Sequence, residues 1–331
     1  MSTKEHWRRD MPQFFNFLAL ERTPLRAAPD ALGGHAGAVV SGDLASGSVT
    51  YLVELPVGWV HQADGRDASL ELFMLRGFVS SEGTAIGPGG YIHLPQGGGG
   101  SELRSEAGAL ALVFWEPNLP SYPPPYTQNR ALRFREIPYE LMPRDRESHG
   151  LLHKSLRLPD PTGIGAEGGP GGMLRLMYMP PGEISPFEHA HHECWEELLL
   201  LQGDILIVDE GVHGVGSMNG HPQEWWHGPY VSRFGALALV HTDAPMGHPW
   251  GRREMPFQDD IVNAYLDEAP WGVNVEHTPW SETSWTRFQQ LPEFKAWAAG
   301  EGAEEWGTVV GRGTVSQFRA QWQRNVDAPG A

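Results

Sequence analysis

A single cysteine, Cys194, stands among the 331 residues of this chain, which excludes an internal disulfide and suits a reducing compartment. Positive charge is scarce too: 24 basic residues face 41 acidic ones, for a formal net charge of −17. That balance repels phosphate backbones and leaves no basic patch for a nucleic acid. No run of about 18 apolar residues occurs, so the sequence offers no membrane-spanning helix. The charged N-terminal stretch lacks the apolar segment of a signal peptide, and no nucleotide-binding glycine loop is found. The expectation is a cytoplasmic protein whose partner is a small-molecule substrate, with neither nucleic acid nor membrane. A homodimer is the assembly to test for.

What is abundant points to strands. The 41 Gly, 28 Pro and 13 Trp suit many short strands joined by tight turns better than a helical bundle. The chain also contains itself twice. Gly-Ala-Leu-Ala-Leu-Val occupies 108–113 and again 235–240, a recurrence too long for chance. Working back from each copy, Pro95 pairs with Pro222, Gly77 with Gly203, and Leu55-Pro-Val-Gly58 with Met179-Pro-Pro-Gly182. The offset drifts only from 124 to 127, so one fold is present in two copies.

Each copy reads as apolar strands ended by Pro or Gly, without intervening helices, which predicts antiparallel pairing in a sandwich or barrel. The proline-rich stretch 116–126 is a stiff connection. The expected division is a first domain over 1–125, a second over 126–250 and an extension over 251–331 that packs on the barrels. In the extension, Val315, Phe318 and Trp322 have helical spacing, and Trp285, Phe288, Phe294 and Trp297 suggest another helical segment. These aromatics are expected to pack against a barrel rather than form a site of their own, and Phe14, Phe15, Phe17 and Leu18 read similarly.

Chemistry concentrates in the second copy, where His189-Ala-His191-His192-Glu-Cys-Trp-Glu196 precedes Gly203. On a strand, alternate residues share a face, so His189 and His191 can point together into a barrel. Glu196 follows a short bend, and His227 arrives from Pro222-Gln-Glu-Trp-Trp-His227. Three imidazoles and one carboxylate suit a borderline divalent ion with positions left open. His192 falls on the opposite strand face and is expected in a solvent-facing or supporting position. Glu193 and Glu197 are expected as surface or supporting carboxylates, and Cys194 as a small buried thiol. Trp195, Trp225, Trp226 and Met179 either line a substrate pocket or pack the core.

The stretch 182–203 resembles the first cupin motif: a glycine, His-x-His, a Glu after four residues and a Gly after six more. Pro222 to His227 resembles the second motif, with Glu224 where a glycine is usual. The flanking Trp225-Trp226-His227-Gly228-Pro229 also resembles the anti-sigma-factor-like cupins. The resemblance implies an all-β bicupin, two conical antiparallel β-barrels of double-stranded β-helix type with short flanking helices. It places one metal per chain in the second barrel, on His189, His191, Glu196 and His227. Fe(II) is the first candidate, and Mn, Ni, Cu or Zn suit the same donors. By the same alignment the first copy has lost the set: Leu70 stands at the position of Glu196 and Gly100 at that of His227. The activity implied is that of a dioxygenase acting on a small chelating organic substrate, with Glu224 or His241 as proton carrier. A non-oxidative isomerase or lyase, and a non-catalytic metal-stabilised binding protein, are the alternatives.

Overall fold

The computed structural model describes residues 7–26, 32–63, 68–97, 100–117, 129–137, 140–141, 152–157, 172–179, 192–207, 210–228, 230–232 and 235–244. Strands dominate them. The only helical pieces among the described residues are two three-residue 3-10 turns, Phe17–Ala19 and Phe134–Glu136. No described helix is long and apolar enough to cross a membrane. The expected helical segments beyond residue 251 lie outside the described residues.

The two copies build the same object. In the first, one antiparallel sheet runs in the order Arg130–Leu132, Tyr91–Leu94, Ala68–Gly77, Ala109–Pro117, Val49–Leu55, Ala36–Gly42, Thr23–Pro24. The second follows suit with Gln13–Asn16, Ser217–His221, Glu196–Gly203, Ala236–Thr242, Leu174–Met179, Leu152–Arg157, Glu140–Leu141. A smaller sheet faces each large one: the strands around Leu103 in the first copy and those around Ile205–Ile207 in the second. Both copies share a tight glycine turn as well. Gly77 and Gly203 have φ of 73° and 78°, and a Cβ there would run into the carbonyls of Gly108 and Gly235.

Each barrel draws its first strand from the segment that precedes the other repeat. Gln13–Asn16, the first strand among the described residues, pairs with residues 217–220 of the second barrel. Arg130–Leu132, which follows the proline-rich connection, pairs with Tyr91–Leu94 of the first. Phe14 and Phe15 are therefore in a strand and Phe17 and Leu18 in the 3-10 turn after it, with Phe15, Phe17 and Leu18 packed in the core shared by the barrels. The strand is held there by four ladder partners from Gly220 to Ser217.

The period-two alternation of the strands sorts side chains into three cores. Leu72, Met74, Ile92 and Val113 fill the first barrel. Met177, Leu198, Leu200 and Val240 fill the second. Their strand neighbours Leu112, Phe114, Leu199, Leu201 and Leu239 form a third core shared by both barrels. Charges are buried in that shared core, and they are paired. Glu71 meets Arg157 at 3.1 Å and accepts from the Tyr91 hydroxyl at 2.7 Å. Glu197, at the matching position of the second copy, accepts from Ser41 and Thr50, each at 2.6 Å. Glu197 is thus neither surface nor metal-facing; it is a buried bridge between the barrels.

Candidate metal centre

Glu196 opens its strand directly opposite Thr242 on one side and His221 on the other. Leu198, two residues on, belongs to the barrel interior, so Glu196 and His221 project inward with it. His192 lies just before the strand, its carbonyl accepting a 2.7 Å hydrogen bond from the backbone N–H of Glu224. That bond ties the two motif loops together. His227 follows and is buried. One ligand atom each from His192, Glu196 and His227 lies within 4.8 Å of the others.

The hydrogen-bonding pattern indicates what this group lacks. His227 Nδ1 lies 3.0 Å from the carbonyl of Trp225, an acceptor only, so Nδ1 carries the proton. In neutral His227 the Nε2 lone pair then faces Glu196 Oε2 at 3.3 Å, acceptor against acceptor. A cation between them satisfies both. His192 Nε2 lies 3.7 Å from the same oxygen, and burial lowers the His192 pKa to about 4, leaving a neutral imidazole able to ligate. Two imidazoles and a buried carboxylate thus fit a divalent ion of the borderline class.

A second layer supports them. His221 stacks on His227, ring centroids 4.1 Å apart, and places Nδ1 3.3 Å from Glu196 Oε2. Its Nε2 meets Glu210 at 3.2 Å. Burial opposes the charge on His221, but the hydrogen bonds to Glu196 and Glu210 outweigh it and raise its pKa to about 9. Trp225 Nε1 in turn donates to Glu210 at 3.2 Å. The ladder Trp225, Glu210, His221, Glu196 orients the carboxylate as outer partners orient metal ligands generally.

Of the residues singled out from sequence, Glu196 and His227 come together, while His189 and His191 lie outside the described residues. His192 is turned inward beside them instead of outward. It precedes the strand, so strand alternation does not govern it. His221 had no motif spacing to mark it; its pairing opposite Glu196 was the missing information. His241 lies on the sheet face opposite Glu196. It is the ladder partner of Glu197, with Nδ1 2.6 Å from Glu197 and Nε2 3.2 Å from Glu116, and is wholly buried between the barrels. Glu224 is exposed and contributes its backbone, at φ 62°, the left-handed geometry that explains a glycine at this place in the motif.

Trp195 packs in the shared core, over Gly220, on the face opposite Glu196. Trp225 is a little over one-third exposed, Trp226 half-buried, and Met179 lines the second barrel at the Gly203 end, away from Glu196. Cys194 is buried and its thiol pKa is pushed up by burial and by nearby Glu196. In the first barrel the equivalents of Glu196 and His221 are Leu70 and Leu94, paired in the same register and buried in an apolar interior.

No protein-family model matches the sequence, and no curated protein matches it. Solved structures do match in fold. A Nostoc punctiforme protein provisionally assigned as a dioxygenase superposes with TM-score 0.57 at 19% identity, over 72% of this chain and 85% of its own. The E. coli protein Ylba, of family DUF861, superposes with TM-score 0.52 at 14% identity, over 76% of this chain and 95% of its own. At these identities the likeness establishes the fold.

Proposed function

We propose that this chain, whose fold is that of a bicupin, is a metal-dependent oxidoreductase of dioxygenase type acting on a small chelating organic substrate in its second barrel. The observation that carries the reading is the buried convergence of His192, Glu196 and His227, with His227 Nε2 3.3 Å from a Glu196 oxygen. Glu196 and His227 hold one divalent ion together with imidazoles of the 189–192 segment. Fe(II) is the first candidate; Mn, Ni, Cu and Zn suit the same donors. The ion supplies a Lewis acid for oxygen donors of the substrate and, as Fe(II), redox chemistry with dioxygen.

The protein's own groups do the rest. Glu196 offsets the charge of the ion. His221, charged between Glu196 and Glu210, keeps a proton one hydrogen bond from a ligand oxygen. Leu200 and Ala238, deeper along the strands, close the interior with apolar side chains. The assignment of the Nostoc neighbour as a dioxygenase points the same way.

Elemental analysis of the full chain tests the site: about one metal per chain is expected, and almost none in Glu196→Ala with His227→Ala. Oxygen uptake by iron-loaded protein with enolic and catecholic substrates tests the chemistry. A flat trace across such a panel counts against a dioxygenase, and turnover that survives strict anaerobiosis with Zn assigns an isomerase or lyase.

A further inference from the structure

The duplication provides an internal control for the second barrel's lining. Three inward-facing positions carry polar side chains in the second barrel and apolar or aromatic ones in the first. Arg175 lies between Met173 and Met177, both in the interior core, while its neighbours Leu174 and Leu176 face the shared core. Its counterpart Tyr51 has the matching ladder partner, Val113 for Val240. Asn219 lies opposite Leu198 as Ile92 lies opposite Leu72. Tyr230 lies opposite Ile207 as Leu103 lies opposite Ser81.

These three groups share more than polarity. Arg175, Val240, Leu198 and Asn219 form one transverse row across the sheet. The row lies one pleat repeat, about 7 Å along the strands, beyond Glu196 and His221. Asn219 is fully buried with neither amide atom hydrogen-bonded, and the Tyr230 hydroxyl is buried without a partner. Tyr230 also approaches His227, ring centroids 5.7 Å apart. Unpaired buried donors and acceptors cost stability, and the sister barrel shows that the fold works without them.

We propose that Arg175, Asn219 and Tyr230 form a carboxylate-recognising end of the second barrel's cavity. The substrate of the metal site is then a small organic acid, with an oxygen group for the metal at one end and a carboxylate at the other. Arg175 provides the charge and the planar fork, Asn219 a donor and an acceptor, and Tyr230 a buried phenolic hydroxyl. This assignment rests on the metal reading above, and its test separates the two.

Metal content and ligand binding are measured independently on the full chain loaded with Zn. The probes are 2-oxoglutarate and 2-oxopentanoate, which share a chelating 2-oxo acid head and differ in the distal carboxylate, and glutarate, which has no such head. The parent is expected to bind 2-oxoglutarate at least about tenfold more tightly than 2-oxopentanoate. Arg175→Met erases the preference at unchanged metal content, while Arg175→Lys keeps part of it. Asn219→Ile and Tyr230→Leu, which install the first barrel's residues, each weaken 2-oxoglutarate binding by about three- to tenfold and decide the matter if Arg175→Met does not fold. Equal binding of both 2-oxo acids by metal-loaded parent, or a folded Arg175→Met that keeps the preference, overturns the carboxylate end and leaves the metal site standing. Glutarate binding that Arg175→Met abolishes, in protein that takes up no metal, retains the carboxylate end and removes the metal reading. Neither metal nor glutarate binding removes both.

Discussion

Replacing Glu116 by Gln removes one of two carboxylates from the buried cluster that joins the barrels. Glu116 and Glu197 there face Arg9, at 3.9 and 3.8 Å, and sandwich the ring of His241. Burial opposes ionisation of Glu116, yet His241 and then Arg9 hold its pKa at about 2 against an ordinary 4.5. A carboxyl displaced from 4.5 to about 2 contributes about 3 kcal/mol of stability. The contact with His241 is ionic rather than a straight hydrogen bond, and its energy is shared between the partners. The variant should therefore lose about 2–3 kcal/mol near pH 6.

The pH dependence has a definite sign. The depressed Glu116 stabilises fully above pH 4.5, and its contribution fades as pH falls toward 2. His241, raised from 6.5, stabilises fully below 6.5, and its contribution fades as pH rises through the folded value. The stability difference between parent and Glu116→Gln should thus be largest between pH 4.5 and 6.5. Urea unfolding of both proteins in chelator, from pH 3 to 9, measures it. A difference below about 0.5 kcal/mol, or one that stays flat across the acid limb, refutes the reasoning.

Three further outcomes follow from the same geometry. Arg157→Leu strips the wholly buried Glu71 of its cation and should cost about 3–5 kcal/mol in urea unfolding, where an exposed pair would cost under about 1. Glu224→Gly relieves a left-handed backbone, so thermal melting should show a gain of a few tenths to about 1 kcal/mol, with metal content unchanged. Cys194 should resist a thiol reagent in native protein and react promptly in denaturant, since burial both hides the thiol and raises its pKa.

Much of this was legible in the chain because it rests on local pattern. The repeated hexapeptide, with Gly77 and Gly203 each ending a strand, reflects turns that only glycine can make against a neighbouring carbonyl, and so it announces two copies of one barrel. Glu196 and His227 carried motif spacing, and Leu70 and Gly100 marked the copy without it. The direction in which a side chain points is a different matter. His192 precedes its strand and escapes the alternation rule, whereas His241 obeys it and is sent into the interface by the register that sets Glu196 against Thr242. Gln13–Asn16 and Arg130–Leu132 change barrels, a choice made by pairing partners 201 to 207 residues away in one case and 37 to 41 in the other, as their registers show. Sequence by itself determined the strand content, the duplication and the donor types. Tertiary structure alone decided that His221 supports Glu196, that Glu197 and His241 bridge the barrels, and that Arg175, Asn219 and Tyr230 face one barrel interior, because strand register couples residues that no local pattern connects.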